Sequence, residues 1–134
     1  MSFQQAIISF WKRYAEFGGR SSRSEFWWNI LFFLIIGLLL NLTILGLEGL
    51  GDMLQAGSDF KFVSYFLVGI SYIWSIATTI PSWALNVRRL HDSGRSAFHL
   101  LWLLLPIIGW IIYIILLCQK SEPIENKYGP TPIA

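Results

Sequence analysis

The chain has 134 residues, 54% of them hydrophobic and 13% charged, with a formal net charge of +2. That length allows one domain, and the balance excludes an ordinary soluble protein, in which about 25% of residues are charged. The mean hydropathy of +0.55 comes from apolar residues gathered into blocks rather than spread as amphipathic stripes, and blocks of that kind read as lipid-embedded helix.

The sequence therefore predicts an all-α integral membrane helical bundle, residues 1–134 forming a single membrane domain. Residues 2–17 place Phe3, Ala6, Ile7, Phe10, Trp11, Tyr14 and Phe17 at helical spacing, opposite Gln4, Gln5, Lys12, Arg13 and Glu16. This is the pattern of an amphipathic helix lying in the membrane surface. It has neither the continuous apolar core nor the small-residue cleavage site of a secretory signal, so no cleaved leader is expected. Gly18 and Gly19 are placed to end this helix, and Ser22 to Glu25 has the spacing of a capping box for the next one.

Residues 26–47 carry no charged side chain and are long enough to cross a hydrocarbon core of about 30 Å. Residues 62–87 form a second such segment, bracketed by Lys61 and Arg88. The third, 97–118, is interrupted by Pro106 and Gly109, which fits either one kinked span or two half-helices that dip in and return. Three spans is the reading adopted, with the re-entrant form as its alternative. Residues 119–134, with Pro123, Pro130 and Pro132, read as an extended or turn-rich tail.

Basic residues set the orientation, since loops kept in the cytoplasm retain Lys and Arg. Lys12, Arg13, Arg20 and Arg23 precede the first span, and Arg88, Arg89 and Arg95 lie between the second and third; these are seven of the ten basic residues. The loop between the first two spans holds Glu48, Asp52 and Asp59 against Lys61 alone. The expectation is a multi-pass protein of a bacterial inner membrane with its N-terminus in the cytoplasm. Only Cys118 could offer a thiol, so no intrachain disulfide can form.

The candidate site is the basic rim. Arg20, Arg23, Arg88, Arg89 and Arg95 could grip anionic head groups, because a planar guanidinium matches two phosphate oxygens and keeps its charge. The competing reading is that these arginines only enforce orientation and snorkel to the head-group plane. Glu25 and Asp92 stand among them, where a purely positive loop needs no acids. They are read as structural ion-pair partners, Asp92 with Arg20 or Arg89.

In the second span Ser71, Ser75, Thr78 or Thr79, Ser82 and Asn86 recur at three- and four-residue spacing, and Asn41 lies on a comparable face of the first. Such residues commonly form a seam between helices. A small oligomeric membrane transporter is the alternative, and it would need a carboxylate buried mid-span as its coupling group, whereas Glu25 and Glu48 lie at span ends.

His91 and His99 are too few for a metal site, and no Gly-x-Ser-x-Gly elbow, Walker loop or HExxH helix is present. The expectation is a non-enzymatic protein without cofactor, metal or nucleic-acid partner. Anionic phospholipid, a second copy of the chain or another membrane protein are its candidate partners.

Three motifs carry a family likeness: Gly19-Arg-x-x-Arg23-x-Glu25-Phe-Trp27, then Pro81-Ser-x-Ala-x-x-Val-Arg88-Arg-Leu-His-Asp92-x-Gly94-Arg-Ser96, then Asn126-x-Tyr128-Gly129-Pro. Together they resemble the YhaH and YhaI type of small bacterial inner-membrane protein, a domain-of-unknown-function family. The resemblance implies a helical inner-membrane protein and supplies no catalytic residues. One departure is Ala97-Phe98-His99, where such proteins often carry an aromatic pair. The resemblance also implies that the short tail motif folds against something, and the arginine-rich loop is the partner available if the tail is cytoplasmic.

Overall fold

The computed structural model describes residues 1–55 and 57–132; the end of the tail lies outside them. Among the described residues the regular elements are helical: α1 (Phe3–Lys12), α2 (Arg23–Met53), α3 (Gly57–Asp92), a 3₁₀ segment (Ala97–Leu104) and α4 (Ile108–Cys118).

The first helix opens on a capping box. Ser2 Oγ accepts from the Gln5 backbone N–H, and Gln5 Oε1 accepts from the Ser2 N–H at 3.0 Å, satisfying two of the donors a helix start leaves over. Its end falls at Lys12, not at Phe17. Arg13 leaves helical geometry (φ −102°, ψ 41°) with its N–H still on Ser9 O. Its guanidinium turns to both carboxylate oxygens of Glu16, at 2.9 Å each, and to Arg20 O at 3.2 Å. These bonds fold residues 13–16 into a turn.

The chain divides into two compact units, residues 31–79 and the two stretches 1–30 and 80–134. In the first, the Phe32 and Phe33 rings lie 6.4 and 6.2 Å from Trp74, centre to centre, and most large apolar side chains face outward. An outward apolar surface on long helices is what hydrocarbon solvation favours. In the second unit Ala6, Phe10, Phe26, Ala84, Leu85 and Leu90 are buried, and they share that interior with charged groups.

Among the described residues two helices, α2 and α3, are long and apolar enough to cross a membrane. The segment 97–118 is a hairpin. Its 3₁₀ arm ends because Leu105 precedes Pro106 and takes an extended conformation (φ −95°, ψ 108°), as pre-proline residues do. The chain reverses at Ile107, where φ is +64° and ψ −71° and the Ile108 N–H reaches Pro106 O at 2.8 Å. This is the strained, positive-φ form of the γ-turn, unusual for a β-branched residue.

The arms of the hairpin touch at Gly109. A Cβ there would fall on the Trp102 carbonyl oxygen and 2.8 Å from Leu105 Cβ, so only glycine admits so close an approach. At the open end Arg95 Nε donates to Gln119 Oε1 at 3.1 Å. The segment therefore returns to the level where it began.

Candidate functional site

Three turns and the tail converge on the C-terminal end of α3. That helix closes in a Schellman motif: the Arg95 N–H bonds Leu90 O and the Gly94 N–H bonds His91 O, both at 3.0 Å, with Gly94 at φ +72°. The motif needs a left-handed residue at this point, which is why a glycine follows Asp92 and Ser93. It leaves Asp92 pointing into the protein.

Asp92 is fully buried between two arginines. Arg20, from the turn ahead of α2, donates Nε to Asp92 Oδ1 at 3.0 Å. Arg89, one turn back on α3, donates Nη1 to Asp92 Oδ2, and Ser121 Oγ donates to the same oxygen. The remaining guanidinium donors are taken up by backbone oxygens. Arg20 reaches Glu122 O at 2.6 Å, Ile124 O at 2.8 Å and Gly129 O at 3.4 Å. Arg89 reaches Leu117 O at 3.0 Å and also Gln119 O, at the C-terminal end of α4 where the helix dipole favours a cation.

Arg88, also fully buried, works on the N-terminal segment. Its Nε donates to Ser21 Oγ at 3.0 Å and its Nη1 to Arg13 O at 3.1 Å and Glu16 O at 2.5 Å. Its Nη2 and the Oδ1 of Asn29 are buried polar atoms with no protein partner. The paired Arg13 guanidinium, through its hydrogen bonds, holds the Glu16 carboxyl below the usual carboxylate range.

The tail lies across this cluster. The Glu122 N–H bonds Asp92 O at 2.9 Å. Asn126 Nδ2 donates to His91 O at 3.0 Å and to Glu122 Oε2 at 2.6 Å, while its Oδ1 accepts from the Tyr128 N–H. The Tyr128 ring stacks on His91 with centres 3.7 Å apart and planes 3° from parallel. His91 Nδ1 donates to Gly19 O at 3.3 Å. The Asn126-to-Gly129 motif is thus a clasp that ties the tail to the end of α3 and to the turn ahead of α2.

Of the five candidate arginines, Arg20, Arg88 and Arg89 are buried with their donors directed inward, whereas Arg23 is exposed and Arg95 half-buried. Glu25 is also buried, but it accepts from Ser9 Oγ at 2.7 Å, joining α1 to α2. Its backbone N–H takes Ser22 Oγ at 3.2 Å, so one half of the expected capping box forms and the carboxylate goes to α1 instead.

The hydroxyls and amides of the two long helices mostly serve their own backbone. Ser71 donates to Leu67 O, Thr78 to Trp74 O, Thr79 to Ser75 O and Asn41 to Gly37 O; Ser75 itself is exposed. Asn86 donates to Ser82 O and accepts from Tyr113 Oη at 2.6 Å, which fastens α4 to α3. Ser82 and Asn86 also line a cavity of about 120 Å³ with Trp83, Leu100, Leu103 and Tyr113. Among the described residues no three His, Cys, Asp or Glu side chains stand close enough to share a metal ion.

The carbonyl acceptors and the Arg95–Gln119 pairing carry no sequence signal, because any residue supplies a backbone oxygen. The chain is 39% identical over 126 residues to the inner membrane protein YhaH of Escherichia coli K12, covering 90% of each chain. It is 33% identical over 130 residues to YhaI of the same organism, covering 96% of this chain and 95% of that one. Both relatives are inner membrane proteins by name, which supports a bacterial inner-membrane location here. No solved structure matches. Residues 14–130, which include Arg20, Arg88, Arg89, Asp92 and the clasp, match the protein-of-unknown-function family DUF805, and the chain belongs to that family.

Proposed function

We propose that this chain is a non-enzymatic inner-membrane protein that holds anionic phospholipid head groups at its cytoplasmic rim, through the cations that its buried arginine clamp leaves accessible. The observation that carries this reading is a division of labour among the basic residues. Arg20, Arg88 and Arg89 are turned inward, while Lys12, Arg23 and Lys120 are exposed and Arg95 is half-buried. Exposed Lys12, Arg23 and Lys120, on a chain that also exposes Phe3, Trp11 and Phe17, suit a head-group plane, where aromatic rings and basic side chains gather. In this reading α1 lies in the interface, α2 and α3 cross, and the hairpin 97–118 enters from and returns to the cytoplasmic side. Both termini then share the face with excess Lys and Arg.

Native mass spectrometry of the protein extracted from membranes containing phosphatidylglycerol and cardiolipin tests the proposal. Wild type is expected to retain anionic lipid, and a variant with Lys12, Arg23 and Lys120 all changed to Ala is expected to lose it while keeping its fold. Retention of the same lipids by that variant, or a wild type that carries only zwitterionic lipid or a partner protein, would overturn it. The transporter alternative is favoured by no observation, since the hydroxyls at Ser71, Thr78 and Thr79 donate along their own helix.

A further inference from the structure

We propose that the hairpin 97–118 is a wedge confined to one leaflet, and that it concentrates this protein on membrane whose cytoplasmic-side leaflet is convex. Eight residues of 3₁₀ helix at a rise of about 2 Å and eleven of α-helix at about 1.5 Å each reach roughly 16 Å, about half of a 30 Å hydrocarbon core. The two ends are held at one level, by Arg95 on Gln119 and by Arg89 on the carbonyls of Leu117 and Gln119. Neither arm can therefore extend into a span without breaking the buried clamp.

The surface of the wedge is suited to hydrocarbon. Residues 97–118 include no Asp, Glu, Lys or Arg. Around the reversal Leu104 is 77% exposed, and Ile107 and Ile108 are each 68% exposed. Polar backbone at that depth has to be satisfied locally. Pro106 has no N–H, the Leu105 N–H bonds Trp102 O, and the Ile108 N–H bonds Pro106 O. The one indole in the second arm, Trp110, also turns its N–H inward, to Leu103 O at 3.2 Å.

An apolar body that enters one leaflet and stops at the midplane adds area to that leaflet alone. Curving the bilayer so that this leaflet is the outer one relieves the mismatch, the same physics that makes interfacial helices curvature-sensitive. The helix α1, with exposed Phe3, Ile8 and Trp11, adds to the same leaflet. The inference rests on the placement of both hairpin ends at the cytoplasmic face, as proposed above, but not on head-group recognition.

The test is therefore run in purely zwitterionic phosphatidylcholine, where failure of anionic-lipid binding has no bearing. Labelled protein is reconstituted into giant vesicles with its tail outward, and narrow tethers are pulled from them. Wild type is expected to be enriched in the tether more than about twofold over the parent membrane. A tip variant, Leu104→Ser with Ile107→Asn, is expected to show no enrichment. Equal densities for wild type, or enrichment that persists in a folded tip variant, overturns the proposal. If the tip variant does not fold, depth decides: a spin label on Ile107→Cys in a Cys118→Ser background is expected near the bilayer midplane, and exposure to the far aqueous side overturns the wedge.

Discussion

Arg20 and Asp92, 72 residues apart in the chain, meet through a 3.0 Å hydrogen bond with both side chains fully buried. Around that bond the turn before α2, the end of α3, the end of α4 and the tail are joined, so one carboxylate organises segments from both ends of the sequence. A buried carboxylate flanked by two guanidiniums is expensive to disturb, because the cations that remain cannot reach water.

Asp92→Asn keeps the shape and removes the charge. Loss of one partner from a buried ionic cluster costs about 3–5 kcal/mol, and heat or denaturant unfolding in detergent is expected to show it. Arg23→Ala, at an exposed position, is expected to change stability by less than about 0.5 kcal/mol. Equal effects from the two would mean that the buried cluster is not what holds the fold.

The clasp should release before the rest of the molecule. Asn126→Ala deletes the donor to His91 O and Glu122 and the acceptor for the Tyr128 N–H, a change worth about 1–3 kcal/mol for buried polar partners left unmade. Limited proteolysis is expected to cut this variant near residues 123–130 while leaving the helices intact. Tyr128→Ala, which removes the stack on His91, is expected to behave similarly but more weakly, by about 0.5–1.5 kcal/mol.

Gly109→Ala tests the hairpin. The added methyl would meet the Trp102 backbone, which cannot swing aside as a side chain could. Overpacking of that kind costs about 1–3 kcal/mol, and a distance probe between the arms is expected to report their separation. Gly37→Ala, with open space around the added carbon, is the control that should leave stability unchanged or slightly raised, since Ala is the better helix former.

Acid should loosen the turn after α1. The Glu16 carboxyl is held below its ordinary range by hydrogen bonds from Arg13, so its contribution is complete above the carboxylate's unfolded pKa of about 4.3 and is lost as pH falls through the lower folded value. The pair is half-exposed on the Glu16 side, which keeps the effect small. Amide exchange around residues 13–17 is expected to quicken below pH 4 in wild type and to be independent of pH in this range, after correction for intrinsic exchange, in Glu16→Gln.

The long helices were legible because their apolar runs outlast the bilayer thickness, and α2 and α3 extend past the predicted segments on both sides. The end of α1 was not legible, since the amphipathic pattern continues through Tyr14 and Phe17 while the side chain of Arg13 breaks the helix by bonding Glu16 and Arg20 O. Pro106 and Gly109 marked the interruption in the third segment but could not tell a kink from a reversal. That difference rests on Ile107 taking a positive φ, which a β-branched residue gives no reason to expect. In the rim, acids among arginines pointed to ion pairs involving Asp92. Composition could not show that Arg20, Arg88 and Arg89 each reach backbone carbonyl oxygens, because hydrogen bonds to backbone leave no mark on the sequence.

Whether the tail shares the cytoplasmic face with the arginine turns is decided by the side of the membrane on which it lies. With Cys118 changed to Ser and a single cysteine placed at Lys127, an impermeant maleimide is applied to intact spheroplasts. If the arginine turns face the cytoplasm, as proposed, protection is expected until the membrane is breached, because the clasp holds the tail beside them. Labelling of intact spheroplasts would place the tail outside and contradict a cytoplasmic site that joins it to the arginine turns.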